Sequence, residues 1–205
     1  MKFTKKNSFI AMLIGFFGWV GAANALLYVE PYAAYRLGTQ TRTIANSEYE
    51  WSTKGTAIGA RLGTSIIPLI TMGVQYEMGS RDQSLDVGPT GTTTGDTGSE
   101  FDDTHLGIFA AFTSLPLFNV WGTYFLSSEL EYTKDNNAST VGTVLSGGGY
   151  GVGAGFTGLP FLSINVDYRM FSYDESETSA GVTSTLTNEV DVTEIMLSVS
   201  SPWDF

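Results

Sequence analysis

His105 is the only histidine in the chain and the first candidate for chemistry, because it stands beside Asp102 and Asp103. An imidazole acts as a general base only when a nucleophile lies within hydrogen-bond reach and a third group orients the ring. The neighbouring carboxylates alone do not meet that requirement. We expect His105 to make a hydrogen bond at the rim or in the interior of the fold, and we predict no catalytic residue.

Other charged residues occur in stretches where apolar residues alternate with glycines, charged residues and uncharged polar residues. Charges removed from bulk water must be paired or hydrated. They could line a polar conduit, or they could pair with one another as a salt-bridged plug, and we predict the plug. The predicted charge network consists of Glu30, Arg36, Arg61, Glu77, Glu129, Glu131, Asp167, Arg169 and Glu194.

Acidic residues cluster in polar connecting stretches. One of these stretches carries Asp82, Asp86, Asp96, Glu100, Asp102 and Asp103. Another carries Asp174, Glu175 and Glu177. Surface carboxylates can hold Ca²⁺ or bridge to other anions through divalent ions. The spacing matches no dedicated calcium loop, so we predict no metal site and no cofactor. An external ligand or divalent cation at these acidic loops stays open as a partner.

The elements that position these residues are predicted from alternation. Segments of about ten residues place an apolar residue at every second position, which is typical of strands with one lipid-facing side. Eight such segments occur, and their apolar positions run over 27–37, 58–62, 72–78, 106–112, 120–132, 150–156, 162–170 and 195–205. The opposite sides carry the glycines and the charges. We predict an all-β fold, an eight-stranded antiparallel up-and-down transmembrane β-barrel.

Near repeats fix the order of the strands. Residues 64–69, 113–117 and 157–161 are similar to one another, each contains a proline, and each predicts a tight turn. Long polar connections are expected at about 39–53, 79–103, 134–146 and 174–189. Short turns at one end and long loops at the other are typical of outer-membrane barrels, with turns and termini periplasmic and loops extracellular.

A soluble β-sandwich would also show alternation. Its solvent-exposed sides would then have to carry the many glycines, which weaken strands without benefit there. Inside a narrow barrel, small residues make room for large ones. The sequence therefore favours a barrel in a membrane over a soluble sandwich.

The first residues predict export. Lys2, Lys5 and Lys6 precede an apolar run, and Ala23 and Ala25 form a small-x-small cleavage site. We expect a signal peptide over 1–25 and a single barrel domain over 26–205. The chain has a net charge of −11 and no cysteine. That charge argues against nucleic acid as a partner, and disulfides are excluded.

Two irregularities stand out within the predicted strands. Pro31 and Pro202 lack an amide donor and fall nearly opposite each other on the first and last strands, so we expect a bulge or a loosened seam there. Trp121 and Phe125 fall on the polar side of the fifth segment. We expect a bulge to turn them outward.

The export signal, the eight alternating segments, the proline-containing turns and the terminal Trp203-Asp204-Phe205 resemble the small outer-membrane β-barrel superfamily of the OmpA N-terminal domain, OmpX/Ail, opacity proteins and OmpW. The resemblance implies that Trp203 and Phe205 form the signal read by the barrel-assembly machinery. It implies outer-membrane lipid and lipopolysaccharide as further partners. Lipid A deacylases of the eight-stranded class carry a His-x-Ser pair, but Gly107 stands at the matching position here, which argues against an enzyme.

Three functional hypotheses follow for a protein of the bacterial outer membrane. The first is a structural or cell-surface interaction barrel with a plugged lumen and four acidic extracellular loops. The second is a narrow pore of the OmpW type for small or apolar solutes. The third, a lipid A-modifying enzyme, has the least support in the sequence.

Overall fold

The structure, a computed structural model, describes residues 27–44, 47–67, 69–87, 98–115, 117–135 and 140–205. The predicted signal peptide, with Ala23 and Ala25, lies outside these residues. The strands are β1 (Leu27–Ile44), β2 (Ser47–Ile67), β3 (Ile70–Val87), β4 (Glu100–Leu115), β5 (Phe118–Lys134), β6 (Val144–Leu159), β7 (Leu162–Glu177), β8 (Thr183–Ser200) and the two-residue β9 (Trp203–Asp204). Among the described residues, no helix is long and apolar enough to cross a membrane.

The sheet closes on itself. Each strand from β1 to β8 pairs antiparallel with the next, and β1 pairs with both β2 and β8. The short β9 continues β8 along the start of β1. Closure leaves no unpaired strand edge among the eight. The predicted eight-stranded up-and-down barrel is therefore confirmed.

The wall of the barrel is apolar outside and polar inside. On β7 the exposed and buried positions alternate from Leu162 to Arg169. Outward residues such as Ile58 and Val152 are about three-fifths exposed, at 61% and 60%, whereas the inward Arg36 is 2% exposed. A soluble protein shows the reverse arrangement. An exposed apolar face of this kind indicates contact with lipid.

The height of the apolar face fits a membrane. On β3 the outward residues are apolar or aromatic from Ile70 to Met78 and become polar at Ser80. Eight steps of about 3.3 Å along a strand tilted by about 40° correspond to roughly 20 Å along the barrel axis. This height is close to the apolar band of about 25 Å found on outer-membrane barrels.

The three tight turns are confirmed, since two residues separate β2 from β3, β4 from β5, and β6 from β7. In the last of these, Pro160 precedes Phe161, which has a φ of 64°. A proline followed by a residue with positive φ is the pattern of a type II turn. Leu117 has a similar φ of 67°. Pro68 and Pro116 lie outside the described residues.

The predicted long connections were too long. β1 continues to Ile44 and β2 begins at Ser47, so strand occupies most of the 39–53 stretch. Likewise, β3 continues to Val87, and β4 begins at Glu100. Polar outward residues such as Thr39 and Thr41 follow the apolar ones on the same strand. Backbone pairing continues past the lipid because it does not depend on apolar side chains, and the polarity of the sequence suggested loops.

The bulge in β5 exists, but it has a different effect from the predicted one. The registers of β5 with both neighbours shift around Leu126 and Ser127. Trp121 and Phe125 precede the bulge and stay inside, at 5% and 1% exposure. The prediction that they turn outward was wrong, because the extra residue changes the orientation only of the residues after it.

The seam between the first and last strands is interrupted at the prolines without a register shift. Tyr32 pairs with Ser200 and Val29 pairs with Trp203, so the same register holds on both sides of the gap. The amide of Ser201 donates to the carbonyl of Pro31 at 3.1 Å. Pro31 cannot return a hydrogen bond because it has no amide proton. The expected loosening of the ladder is therefore present, and the bulge is not.

Candidate functional site

The interior of the barrel holds the charged side chains in two groups. The upper network, towards the long connections, consists of Arg36, Arg81, Arg169, Glu77, Asp103 and Glu194. The lower network, towards the tight turns, consists of Arg61, Glu30 and Asp167. All of these residues are buried.

Glu77 on β3 is one centre of the upper network. Arg169, from β7 across the lumen, donates to both of its carboxylate oxygens, Nη1 to Oε1 at 3.0 Å and Nη2 to Oε2 at 3.1 Å. The hydroxyl of Tyr32 donates to Oε2 at 2.7 Å. Two-pronged pairing of this kind is the strong geometry for a guanidinium and a carboxylate. The contact joins opposite walls of the barrel.

Asp103 on β4 is the second centre. Arg36 donates to Oδ2 at 2.7 Å and to Oδ1 at 3.0 Å. Arg81 Nε donates to Oδ2 at 2.8 Å, and its Nη2 also contacts that oxygen. Arg81 Nη1 lies 3.3 Å from Glu194 Oε2. Asp103 therefore holds two guanidiniums, from β1 and β3, and Glu194 on β8 pairs with one of them, that of Arg81.

Arg61 is the centre of the lower network. Its Nη1 lies 3.0 Å from Glu30 Oε2, and its Nη2 lies 3.3 Å from Asp167 Oδ1. The guanidinium carbon lies 4.1 Å from the ring centroid of Trp121, whose indole N–H donates to Asp167 Oδ1 at 2.7 Å. A guanidinium over an indole is a favourable cation–π contact. The inward orientation of Trp121 therefore has a structural role that the sequence analysis did not foresee.

His105 lies in the lumen, and polar groups contact both of its ring nitrogens. Nδ1 lies 2.5 Å from Ser128 Oγ. Nε2 lies 3.3 Å from Asp103 Oδ2 and 3.5 Å from Arg81 Nη2. The ring stacks on Phe171 at 4.5 Å, and the Tyr173 hydroxyl lies 2.9 Å from Ser128 Oγ. Sequence reasoning missed Ser128, because it comes from the neighbouring strand after the bulge. The contacts follow the order Asp, His, Ser of a hydrolase triad, but the two ring nitrogens are exchanged, because Nε2 faces the serine and Nδ1 faces the aspartate in such a triad.

Burial argues against chemistry at that triad. His105 and Ser128 are both 0% exposed. Above them the lumen is filled by an apolar cluster of Phe101, Phe125, Leu130, Leu145, Phe171, Tyr173, Val190 and Val192. A nucleophile needs space for a substrate carbonyl within about 3 Å. The packed surroundings leave no such space, so the geometry supports a structural role.

Glycines on β6 make room for the large inward side chains. A Cβ on Gly153 would come within 2.3 Å of the Trp121 ring, and one on Gly149 would come within 2.7 Å of Phe171. A Cβ on Gly151 would touch Arg169 at 3.0 Å. The inward positions of this strand are therefore glycines because large side chains from the neighbouring strands occupy the space in front of them.

The structure places seven of the nine residues of the predicted charge network in the lumen. They are Glu30, Arg36, Arg61, Glu77, Asp167, Arg169 and Glu194. Glu129 and Glu131 are exposed on the outer surface instead, since the β5 bulge reverses the faces after Ser127. Arg81 and Asp103 were missed because their positions fell in a stretch predicted to be a loop.

The other predicted residues lie at the surface. Trp203 and Phe205 are exposed at the end of the last strand, and their rings lie 6.3 Å apart. Asp82, Asp102 and Asp174 point outward, whereas Asp103 does not belong to the acidic surface. Asp96 lies outside the described residues. No group of three or more His, Cys, Asp or Glu side chains suited to a metal ion occurs in the described part of the chain.

One exposed ion pair closes the loop-side end of β4 and β5. Lys134 Nζ lies 2.6 Å from Glu100 Oε1. The hydrogen bond to Glu100 and its negative charge raise the pKa of Lys134. Both side chains are exposed, so the pair contributes little to stability.

No protein-family model matches the sequence, and no curated protein does. Solved structures share its fold. The attachment invasion locus protein Ail of Yersinia pestis aligns with a TM-score of 0.51 and 12% identity, covering 86% of this chain and 98% of its own. OprG from Pseudomonas aeruginosa aligns with a TM-score of 0.51 and 7% identity, covering 87% of this chain and 96% of its own.

At these identities the likeness shows the fold. It is the fold of the small eight-stranded outer-membrane β-barrels, and the resemblance inferred from the sequence is confirmed at that level.

Proposed function

We propose that the protein is an integral barrel of the bacterial outer membrane with a structural or cell-surface interaction role and a lumen closed to solutes. The apolar outer face and the charged interior support a membrane location. The tight turns and both ends of the barrel then lie in the periplasm, and the longer connections lie outside the cell.

This orientation can be tested on intact cells, because the chain has no cysteine. A Ser179→Cys variant places one thiol in the connection between β7 and β8, and Pro160→Cys places one in the tight turn between β6 and β7. A maleimide that cannot cross the outer membrane should label the first variant in whole cells and the second only after lysis. The opposite labelling would contradict the proposed orientation.

The upper network is the observation that carries the closed lumen. Its three arginines and three carboxylates come from β1, β3, β4, β7 and β8, so the ion pairs cross the interior. Their side chains are no more than 2% exposed, and the apolar cluster covers them from the loop side. Separating such a pair would leave an uncompensated charge in the buried interior, which is costly. The ion pairs therefore do not open readily.

Planar-bilayer recording tests the closed lumen. The purified protein should give no steady single-channel openings. Glu77→Ala removes the carboxylate that joins Arg36 and Arg169 and should give measurable openings or a flickering current, whereas Glu129→Ala on the outer face should not. Steady openings of the unmodified protein would favour a narrow pore for small or apolar solutes instead.

The outward carboxylates favour cationic or cation-bridged partners at the cell surface. Several lie on the strand ends above the apolar band: Asp82, Asp102, Glu129, Glu131, Asp174, Glu189 and Asp191. Divalent ions could bridge them to lipopolysaccharide phosphates. Ail has been solved in complex with the heparin analogue sucrose octasulfate. The acidic exterior of this chain would repel such a polyanion, so a ligand of that kind does not fit this surface.

Binding to lipopolysaccharide tests the bridging. The barrel in nanodiscs should bind lipopolysaccharide vesicles more tightly with Mg²⁺ than with EDTA at equal ionic strength. A variant with Glu129 and Glu131 changed to Gln should lose part of the Mg²⁺ effect. Equal binding of both proteins in both buffers would contradict the proposal.

We also infer that the protein is not an enzyme. Ser128 and His105 have the order of a relay, but both are fully buried. The lipid A mass spectrum should therefore be the same in cells that carry the protein, the His105→Ala variant or a deletion. A lipid A species that disappears in both altered strains would favour the lipid A-modifying hypothesis.

A further inference from the structure

The two charge networks of the lumen differ in balance. The upper network has three arginines against three carboxylates. The lower network has one arginine, Arg61, against two carboxylates, Glu30 and Asp167. Both are buried, and an uncompensated charge in such a place is costly. The lower network, as described by these ion pairs, lacks one positive charge.

The surplus charge lies on Asp167. Glu30 is fully hydrogen-bonded: Ser200 Oγ donates to its Oε1 at 2.6 Å, and Tyr28 and Arg61 both donate to its Oε2. Asp167 has partners on Oδ1 only, from Arg61 and Trp121. Its second oxygen, Oδ2, is buried and has no hydrogen-bond partner among the described residues.

Two further buried amide oxygens in the lower lumen also lack partners among the described residues. They are Oδ1 of Asn119 and Oδ1 of Asn165, which are 7% and 1% exposed as residues. Each lies 2.3 Å from the position that a Cβ of Gly155 would take, so the two oxygens lie close to each other. Two acceptors facing one place require a donor or a cation between them.

The orientation of Asn165 is fixed by its other end. Its Nδ2 donates to Ser200 Oγ at 2.8 Å and to Ser198 Oγ at 3.3 Å, so the oxygen must face β6. Asn165 and Asp167 are successive inward residues of β7. The hydroxyl of Ser163, the next inward residue towards the tight turns, is also buried without a partner in the described part of the chain. Ser163, Asn165 and Asp167 are thus three successive inward residues of β7, and each has a buried oxygen without a partner in the described part of the chain.

From these observations we propose that the lower lumen holds a monovalent cation of the size of Na⁺, bound by Asp167 together with the side-chain oxygens of Asn119 and Asn165. The donors are all oxygens, which hard cations prefer. One positive charge balances the lower network, whereas a divalent ion would leave an excess. Trp121 and the upper network separate the site from the loop-side end of the barrel, so the ion is structural and exchanges from the end that carries the tight turns. This site is independent of the proposed surface role.

Stability in different salts tests the site. The purified protein in detergent is freed of sodium and compared in NaCl and choline chloride at equal ionic strength. Its thermal midpoint, followed by the shift in gel mobility on unfolding, should rise saturably with Na⁺ by about 5 °C and should not respond to choline. Equal midpoints in the two salts would overturn the proposal and leave Asp167 neutralised by a proton. A response to Ca²⁺ alone would overturn the monovalent assignment.

Variants locate the effect. Asp167→Asn removes the surplus charge and should abolish the sodium response, while Glu129→Gln on the outer face should keep it in full. Loss of the response in both variants would overturn the proposal, because it would indicate a general surface effect. Should Asp167→Asn fail to fold, Asn119→Ala should still raise the sodium concentration at half-saturation at least threefold. An unchanged half-saturation would contradict the site.

A direct observation needs no variant. The ²³Na resonance should broaden in the presence of the sodium-free protein refolded with Na⁺, and excess Li⁺ or K⁺ in the refolding buffer should narrow it. No broadening beyond that of protein-free detergent would overturn the proposal.

Discussion

Asp102 and Asp103 are neighbours in sequence but lie on opposite sides of the barrel wall. Asp102 is exposed on the outer surface, whereas Asp103 is buried and binds Arg36 and Arg81. The two aspartates therefore differ in environment only because successive side chains of a strand point to opposite faces of the sheet. The pair offers a matched comparison of a surface charge with a lumen charge.

Asp103→Asn should destabilise the folded protein by about 3 kcal/mol or more, because it leaves two buried guanidiniums without their shared carboxylate. Asp102→Asn should change the stability by less than about 0.5 kcal/mol. Urea unfolding, followed by the folded and unfolded bands on unboiled gels, measures both. Similar effects of the two substitutions would contradict the ion pairs of Asp103.

Gly153 and Gly122 offer a second comparison. A Cβ on Gly153 would clash with Trp121 at 2.3 Å, whereas the nearest atom to a Cβ on the outward Gly122 is 3.9 Å away. Gly153→Ala should destabilise the protein by about 1–3 kcal/mol, because overpacking displaces the ring, and Gly122→Ala should be neutral. The same urea assay measures both variants, and a neutral Gly153→Ala would show that Trp121 can move freely.

Single residues show where sequence reasoning works in this chain. Arg36, Arg61 and Arg169 could be placed inside because the residues immediately before and after each of them are apolar and belong to the outward face of the strand. Ser128 could not be paired with His105, because strand register is not readable from one strand alone. The oxygens of Asn119 and Asn165, which lack partners within the described ranges, depend on side-chain contacts across three strands, which alternation does not encode.

At the scale of elements, β5 shows how one extra residue changes the outcome. Before the bulge at Leu126 and Ser127 the odd-numbered residues face the lumen, and after it the even-numbered ones do. The sequence indicated the bulge through Trp121 and Phe125 but not its position. The position of the bulge matters, because it determines whether the side chains of Glu129 and Glu131 point into the lumen or to the outer surface.

Cysteine labelling tests the reversal on β5. In the folded protein, Glu129→Cys should react rapidly with a water-soluble maleimide, and Leu130→Cys should react only after unfolding, since Leu130 is 0% exposed. The native chain has no cysteine to interfere. Fast labelling of the Leu130 variant together with slow labelling of the Glu129 variant would place the bulge elsewhere.

The turns and the seam were more predictable elements. Tight turns follow from proline and from near repeats, so their positions are local in the sequence. The interruption of the seam follows from Pro31, which accepts a hydrogen bond from Ser201 but has no amide proton to donate in return. The ends of the strands were poorly predicted, because the polar residues beyond the lipid resemble loop residues while their backbone remains paired.

At the scale of the whole molecule, the interior is layered. The lower network lies towards the tight turns, the upper network lies above it, and the apolar cluster of Phe101 and its neighbours closes the loop side. Ring closure through β1 and β8 holds these layers together. Composition and alternation predicted the closed ring, but the order of the layers requires the register of all eight strands.

A closed, filled ring should resist detergent. The unboiled protein in sodium dodecyl sulfate should migrate differently from the boiled protein, because the paired strands keep it compact until heat unfolds it. A chain that dissolves as a monomer without surfactant and migrates identically in both samples would contradict the membrane barrel.

The eight long strands have 16 to 21 residues each, about twice what is needed to cross the lipid. Roughly half of the barrel height therefore stands clear of the bilayer as paired wall filled with side chains. In the proposed orientation, an antibody or a phage raised or selected against the cell surface would meet residues brought together from several strands. Its epitope would be conformational, and short linear peptides copied from the connections would compete poorly for it.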